Sequence, residues 1–219
     1  MALTTYTELK TSIADWLNRT DLTATIPDFI SLAEAQIERQ LRTRQMLTRT
    51  TLTIDAEFET IPADLLEVRA LKLTGTNPIT PLTFMTMDSL DEQSTIDIGS
   101  GKPKYFTVVG SEFRFVPTPD ASYAAEIVYF TKLSKLSASV ATNFLLTSSP
   151  DIYLYGSLLQ AAPYLQDDAR ISVWSSLYQA GLDQLQIADD CRLRIGRRRA
   201  IRNHQSAIRN PFDPSPSWV

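Results

Sequence analysis

The apolar positions of the chain follow a helical period at both ends and a strand period between them. Near the start, Thr5-Tyr6-Thr7-Glu8 is a capping box, in which the Thr and Glu side chains satisfy N–H groups that the first helical turn leaves free. The apolar residues after it recur every three or four positions, as on one face of a helix: Leu9, Ile13, Trp16 and Leu17. This pattern predicts a helix that ends within residues 18–21.

A second helix is predicted to begin at Thr25-Ile26-Pro27-Asp28, because Pro fits a first helical turn and an acid is favourable at the positive end of the helix. Its apolar face consists of Phe29, Ala33, Ile37 and Leu41. Its other faces are polar and carry Glu34, Glu38, Arg39, Arg42 and Arg44. We expect this helix to end near Met46.

In the middle of the chain, apolar and polar residues alternate, which is the period of a half-buried strand. The alternating segments are residues 48–54, 58–61, 66–73, 105–109, 112–116 and 123–130. Gly110-Ser111 is a typical hairpin turn between two of them. We predict six or seven strands in a meander, with a loop over residues 74–103 that contains a short helix at residues 87–92.

The helical period returns after Ser149-Pro150-Asp151, where Ser suits the N-cap and Pro the first turn. Leu154, Leu158, Ala161, Ala162 and Leu165 form one apolar face, and Pro163 is expected to kink or end that helix. Asp167-Asp168 caps a last helix, whose buried side is predicted to include Ile171, Trp174, Leu177, Tyr178, Leu182 and Leu185. Arg is a good helix former, so this helix can continue past Asp190.

These elements predict an α+β fold in which helices at both ends pack together as one bundle and the strands form an inserted antiparallel module. The predicted division is residues 1–47 for the first helices, 48–144 for the β module, 145–200 for the last helices and 201–219 for an extended arm. Each end helix has one apolar face and therefore needs a partner, which the opposite pair of helices supplies.

Composition limits the class of protein. Hydrophobic residues make up 43% of 219 positions, which is enough for a core. The start lacks the basic and apolar runs of a secretory signal, and no stretch approaches the 18 apolar residues typical of a membrane span. A single cysteine excludes an intrachain disulfide framework. We therefore expect a protein of a reducing cytoplasm without a membrane anchor.

Charge divides the chain sharply near its end. Residues 191–219 carry seven arginines and one acid, a formal charge of +6, whereas residues 1–190 carry 14 basic and 24 acidic residues, a formal charge of −10. The last residues contain three prolines, which stop a helix, together with apolar side chains that a solvated linker does not need. This combination is typical of a docking arm, whose candidate contact residues are Arg197, Arg198, Arg199, Arg202, Ile208, Arg209, Phe212, Trp218 and Val219.

Candidates for catalysis or metal binding are weak. The only histidine, His204, and the only cysteine, Cys191, lie in or beside the arm, where neither a zinc site nor a nucleophile held next to its base is expected. Gly99-Ser100-Gly101-Lys102 lacks the strand–loop–helix context of a phosphate loop. A hard cation could bind three acids close together in the sequence, Asp88, Asp91 and Glu92, but such a cluster is more often a solvated surface. We predict no catalytic residue, metal or cofactor.

The arginine cluster has two possible partners. Arginines neutralise the phosphates of nucleic acid, but few aromatic residues lie among them for base stacking, and the rest of the chain is acidic. Composition therefore favours an acidic protein surface, and binding to DNA is kept as the alternative.

Several stretches resemble, in order, the head-to-tail adaptor proteins of tailed bacteriophages, especially the tail tubular protein A and tail accessory factor type of short-tailed phages. The resemblance lies in Thr5–Lys10 with Trp16-Leu17, in Ile26–Ile30 with Ala33-Glu34, Arg39 and Leu41, in Ile61–Arg69, in Gly101–Phe106, in Phe113–Pro119 with Val128–Phe130, and in Leu146 with Pro150–Leu158, Ala161-Ala162, Leu165, Asp168 and Trp174. It covers most of residues 1–190, and Pro163 departs from the usual pattern.

This resemblance implies a structural role without catalysis. Such adaptors form a ring, usually of twelve copies, beneath the portal protein of the filled head, and their C-terminal arms reach into the portal. The implied partners are the portal, the tail nozzle or other tail proteins, and further copies of the chain, while genomic DNA passes through the channel without specific binding. The implied location is the virion neck, after assembly in the host cytoplasm.

Overall fold

The computed structural model describes residues 3–97, 99–165 and 169–208, with side chains described up to Asp189. Within these residues lie six α-helices: α1 (Tyr6–Leu17), α2 (Ile26–Gln40), α3 (Met87–Ile96), α4 (Phe144–Ser148), α5 (Pro150–Gln160) and α6 (Arg170–Ile208). Eight strands lie between α2 and α4: β1 (Leu47–Ile54), β2 (Phe58–Thr60), β3 (Leu65–Leu73), β4 (Thr80–Pro81), β5 (Thr83–Phe84), β6 (Tyr105–Val109), β7 (Glu112–Val116) and β8 (Tyr123–Thr131). The predicted α+β class is confirmed.

The chain divides into two units. The first, helical unit combines residues 1–43 with residues 135–219, and the second unit is residues 44–134. The sequence pattern places residues 135–144 in the β module, whereas the structure places them in the helical unit. The difference arises because hydrogen bonds hold this returning segment to the first helices: the Leu136 N–H donates to Glu34 of α2, and the Ala141 carbonyl accepts from the Tyr6 N–H of α1.

Helix α1 begins at the predicted capping box. The Thr5 hydroxyl accepts a hydrogen bond from the Glu8 N–H, and the Glu8 carboxylate accepts one from the Thr5 N–H. Leu9, Ile13 and Leu17 are buried as predicted. Trp16 is not: 44% of its surface is exposed, and its ring lies edge-on to Tyr155 at 5.9 Å between centroids. The predicted core position of Trp16 is wrong, since it lies at the edge of the buried face.

Helix α2 buries its predicted face, but two expectations about it are wrong. The helix ends at Gln40, six residues before Met46, and a short 3-10 turn follows at Arg44–Met46. Glu34, assigned by its charge to a polar face, is only 3% exposed. Its neighbours one turn away, Ile30 and Ile37, are buried, which places Glu34 toward the core, and partners from distant residues make that burial possible.

Helices α5 and α6 approach each other closely because two glycines remove side-chain bulk between them. A Cβ atom added to Gly156 would lie 3.1 Å from the Tyr178 ring, and one added to Gly181 would lie 3.1 Å from a side-chain carbon of Ile152. Helix α5 ends at Gln160 before a 3-10 turn that contains Pro163, as expected. Trp174, Tyr178 and Leu182 are buried, whereas Leu177 is 42% exposed, contrary to the prediction.

Helix α6 continues through residue 208, so the predicted extended arm begins later than residue 201. Arginine has a high helix propensity, and the first proline that would stop the helix is Pro211. Among the described residues, no helix combines the length and the apolar character that a bilayer crossing requires. The predicted cap Asp167-Asp168 lies outside the described residues.

The strands of the second unit form two four-stranded sheets, with strand orders β1-β8-β3-β4 and β2-β7-β6-β5. The predicted meander is therefore wrong: β8 pairs with both β1 and β3, and β5 runs parallel to β6. Both sheets contribute to one buried core, which contains Ile54, Leu71, Leu73, Leu82, Phe106, Phe113, Phe115, Ala125, Ile127 and Tyr129. Facing sheets bury apolar side chains of β1, β3, β6, β7 and β8 in one core, whereas Phe58 of β2 is 44% exposed.

Candidate docking site

The predicted docking residues lie at and beyond the end of α6. Arg197, Arg198, Arg199, Arg202 and Ile208 are on the helical backbone, with side chains outside the described part of the chain. Arg209, Phe212, Trp218 and Val219 lie outside the described residues, and the side chains of Cys191 and His204 are also not described. The structure therefore fixes the base from which the arginines extend.

That base is the first part of α6, which is anchored to the rest of the helical unit. Trp174, Tyr178 and Leu182 are each less than 5% exposed. Burial raises the pKa of the Tyr178 phenol to about 12, so this side chain stays neutral at physiological pH. Gln186 donates a hydrogen bond to the Gln40 carbonyl at 3.2 Å, and Arg170 donates one to the Trp16 carbonyl at 3.2 Å.

A buried carboxylate fastens the returning chain to α2. Glu34 accepts a hydrogen bond at 2.7 Å from the Leu136 N–H and one at 3.2 Å from the Tyr153 hydroxyl. Asn143 donates to the Tyr153 oxygen at 2.6 Å and also caps α4 by accepting from the Leu146 N–H at 2.9 Å. One acid thus holds both the segment that enters the last helices and the core of α5.

The environment of Glu34 disfavours its charged form. Burial raises its pKa above the ordinary value and the neighbouring Glu38 adds to the rise, while the hydrogen bonds from Leu136 and Tyr153 and the charge of Lys135 oppose it. Burial likewise raises the pKa of Tyr153 far above its usual range. The folded chain therefore holds the Glu34 proton to a higher pH than the unfolded chain does.

We expect the substitution Glu34→Gln to remove a pH-dependent part of the stability. The pKa of Glu34 is higher in the folded chain than in the unfolded chain. The helical unit of the wild type therefore loses stability as pH rises from about 4.5 through the folded pKa. A pKa difference of one unit corresponds to about 1.4 kcal/mol of unfolding free energy. Gln keeps an acceptor oxygen without the charge. Denaturant unfolding, followed by tryptophan fluorescence, measures this difference. Over that pH range the free energy of unfolding of the variant should rise relative to that of the wild type. The same slope of unfolding free energy against pH in both chains would contradict this prediction. The control is Glu92→Gln, which removes an exposed carboxylate.

The second unit has an open apolar groove of about 530 Å³ at one flank of its sheets. Its deepest lining residues are Leu71, Leu82 and Phe106, all nearly inaccessible to solvent, and its rim includes Phe84 and Val108, which are 58% and 41% exposed. Strands β4 and β5 have only two residues each, so they cover one end of β3 and of β6 and leave the groove uncovered along the rest.

Ion pairs explain several charged residues of the second unit. Glu126 lies between Arg49 at 3.1 Å and Lys72 at 2.7 Å, across the strand ladders of β8. Asp91, weighed as a cation ligand with Asp88 and Glu92, pairs with Arg114, which also pairs with Glu57 at 2.8 Å. In the described part of the chain, no three His, Cys, Asp or Glu side chains group as metal ligands.

The glycine-rich loop serves as a connection between α3 and β6. Ser100 forms a bridge with Thr118, and the Gly101 N–H donates to the Thr118 carbonyl at 2.7 Å. Lys102 donates to the Thr80 hydroxyl at 2.5 Å. The loop runs from a helix into a strand, the reverse of the order in a phosphate loop.

Sequence patterns missed Glu34 and the groove for different reasons. Glu34 was assigned to a polar face by its charge, and the long-range partners Leu136 and Tyr153 distinguish it from a solvated acid. Its helical spacing from Ile30 and Ile37 was the available signal in the sequence. The groove depends on which strands become neighbours, and the shortness of β4 and β5 was hidden in a segment assigned to a loop.

Comparison with known proteins gives one family. The family model described as SU10 adaptor protein matches residues 4–202, which span the helical unit, the inserted strands and most of the arginine cluster. The comparison with curated proteins gave no match.

Proposed function

The chain belongs to the SU10 adaptor protein family, and from this premise we propose that it is a structural head-to-tail adaptor. A phage adaptor role follows from the family itself. In our proposal, the chain forms a ring, of twelve copies, beneath the portal, seals the joint and leaves a channel through which DNA passes during ejection. The single observation that carries the proposal is the family match over residues 4–202.

The charge distribution supports this role. An acidic body, with a formal charge of −10 over residues 1–190, suits the wall of a channel through which DNA must slide without binding. The basic residues are concentrated where α6 leaves the helical core. Leu182 is the last buried residue of α6 with a described side chain, and the helical backbone continues to Ile208, roughly 39 Å further at 1.5 Å per residue.

The proposed partners follow from this arrangement. The C-terminal arm, with Arg197, Arg198, Arg199, Arg202, Ile208, Arg209, Phe212, Trp218 and Val219, docks on the portal protein. Other copies of the chain complete the ring, and the tail nozzle or other tail proteins bind on its far side. The protein works in the virion neck after assembly in the host cytoplasm. The alternative is a DNA-binding assembly factor that uses the same arginines.

The triple substitution R197Q/R198Q/R199Q tests this proposal. We expect slower and weaker ring formation on the portal, with a larger loss at about 50 mM salt than at about 500 mM, because screening already removes much of the attraction at high salt. Light scattering of mixtures of the chain with portal measures both the rate and the extent of ring formation. The variant R197K/R198K/R199K keeps the charge and is the control.

Two outcomes would contradict the proposal. If the Gln variant loses ring formation equally at every salt concentration, the arginines contribute packing rather than charge. Tight, steeply salt-dependent binding of duplex DNA by the wild-type chain, lost in the Gln variant without a change in portal binding, would favour the DNA-binding alternative.

A further inference from the structure

The outer face of α6 carries an apolar stripe that the packing of the helical unit does not use. Val173 and Leu177 are 55% and 42% exposed, and Ser176 and Ala180 beside them are exposed as well. These four positions have the spacing i, i+3, i+4 and i+7, which on a helix surface encloses a hole that can receive one side chain of a second helix. Two apolar and two small residues thus form a shallow hole on the described part of α6.

The outer face of α2 carries an apolar side chain of the kind that fills such a hole. Leu32 is 53% exposed, and Ala35, one turn further along the same face, is partly exposed. Two exposed charges bound this face, with Asp28 one turn before Leu32 and Arg39 two turns after it. The face therefore presents one apolar knob between an acid and a base.

These two outer faces are left over from the packing of the helical unit. Both helices use their inner faces to pack on α5, since a Cβ atom added to Gly156 would lie 3.4 Å from the Ala33 side chain and 3.1 Å from the Tyr178 ring. The outer faces point away from this shared contact. A partner for them has to come from another molecule.

Charges at the ends of the two faces favour one direction of pairing. If Leu32 is centred on the hole, parallel packing places Arg39 opposite Asp183 and Asp28 less than one turn from Arg170. Antiparallel packing would place Arg39 beside Arg170 and Asp28 beside Asp183, so like charges would repel at both ends. The α2 face of one copy is therefore complementary, in shape and in charge, to the α6 face of a second copy that runs parallel to it.

We propose that α2 of one copy packs in parallel against α6 of the next copy, with Leu32 in the hole formed by Val173, Ser176, Leu177 and Ala180. The contact joins two different faces, so every copy presents both a knob and a hole, and the contact repeats from copy to copy. Contacts of this kind close into a ring when the rotation between copies permits. The inference rests on the proposed function, for which it names the contact between neighbouring copies.

The contact is small, which sets where it forms. It covers about three helical turns, whereas a stable interface between proteins buries about 1,600 Å². Free copies are therefore expected to associate weakly. A portal that holds the arms of several copies raises their effective concentration and so promotes the contact.

Disulfide trapping in the full chain tests the contact. In a Cys191→Ser background, one chain carries Ala35→Cys on α2 and a second chain carries Ala180→Cys on α6. Parallel packing puts these positions opposite each other, because each follows the centre of the contact by about one turn. A disulfide requires Cα atoms within about 7 Å, so on mild oxidation the mixture should give about tenfold more covalent dimer than either chain alone.

The matched control carries Val173→Cys in place of Ala180→Cys. Val173 lies opposite Ala35 only if the helices are antiparallel, and parallel packing leaves the two positions about 10 Å apart along the helix axis. A mixture of A35C and V173C should therefore give no more dimer than either chain alone. Equal or stronger trapping by V173C would overturn the proposal, and so would a failure of A35C and A180C to form a disulfide both with portal and without it.

Charge reversal gives a second, independent readout. Arg39→Asp in the A35C chain places two acids opposite each other, so trapping with the A180C chain should slow about threefold or more at low salt. Asp183→Arg in the A180C chain should restore the rate, because an opposite pair forms again. Each chain carries one reversal, so the recovery cannot arise within a chain. A loss of rate that Asp183→Arg does not repair would contradict the contact, and circular dichroism checks that every variant is folded.

Negative-stain images of the chain with portal separate this inference from the proposed function. If rings form on the portal but A35C and A180C form no disulfide there, the docking role stands and the proposed helix contact is wrong. If the wild-type chain does not bind the portal, while concentrated free A35C and A180C chains form the disulfide, the docking role is refuted and the helix contact stands.

Discussion

Removal of residues 204–219 is expected to abolish binding to the portal while the helical unit stays folded. Every described core residue of that unit lies at or before Leu182, so the cut leaves the packing of α1, α2, α5 and the base of α6 intact. The cut removes Ile208, Arg209, Phe212, Trp218 and Val219. Loss of several apolar and charged contacts at the centre of an interface should weaken affinity by about a thousandfold or more.

Calorimetry of the truncated chain with purified portal measures this loss, and negative-stain images of the mixture show whether a ring forms. Far-UV circular dichroism checks that the truncated chain is folded. A chain that lacks residues 204–219 and binds the portal with unchanged affinity would show that docking is carried by the body, and the arm hypothesis would then be wrong.

Trp174→Ala should cost about 3–5 kcal/mol of the unfolding free energy of the helical unit, the range typical of a buried aromatic residue. Trp174 is 3% exposed on the face of α6 that also buries Tyr178 and Leu182. Trp16→Ala is the matched comparison, because Trp16 is 44% exposed and makes one edge-on contact with Tyr155. We expect the second substitution to cost about 1 kcal/mol.

Denaturant unfolding provides the measurement, followed by circular dichroism at 222 nm because each variant loses a fluorescent residue. Similar losses for the two variants would mean that Trp16 carries as much of the core as its apolar spacing in the sequence suggested. That result would contradict the burial seen in the structure.

The sequence predicted elements with strong local signals better than their boundaries. The capping box at Thr5 and Glu8 and the apolar face of α2 depend on residues within one or two helical turns, and both are confirmed. The end of α2 at Gln40 was missed because the residues after it, such as Arg42 and Arg44, are also good helix formers. Helix ends depend on where the following chain must turn, which local propensity does not specify.

Strand pairing was the least predictable part of the fold. The alternating segments of β1, β3, β7 and β8 were located, but β8 lies between β1 and β3, although it begins at least fifty residues after either strand ends. Alternation determines which face of a strand is buried and leaves its neighbours undefined. For the same reason the groove beside β3 and β6 could not be predicted, since it exists only through the sheet order.

The candidate docking residues were assigned from composition alone, and their role stays a prediction. The charge division near residue 190 is a property of the sequence and needs no fold to be recognised. Glu34 shows the opposite case, because an acid on a helix is assigned to solvent unless its partners are known. Its partners, Leu136 and Tyr153, lie about a hundred residues further along the chain.

The division of the helical unit into two distant chain segments sets an order of events on the ribosome. Residues 44–134 are continuous, so the β unit is complete once Ser134 has emerged. The helical core needs Leu182, about 48 residues later, which at roughly 5–20 residues per second is a delay of about 2–10 s. During that interval α1 and α2 have been made without α5 and α6, and their apolar faces are the part of the nascent chain most in need of a chaperone.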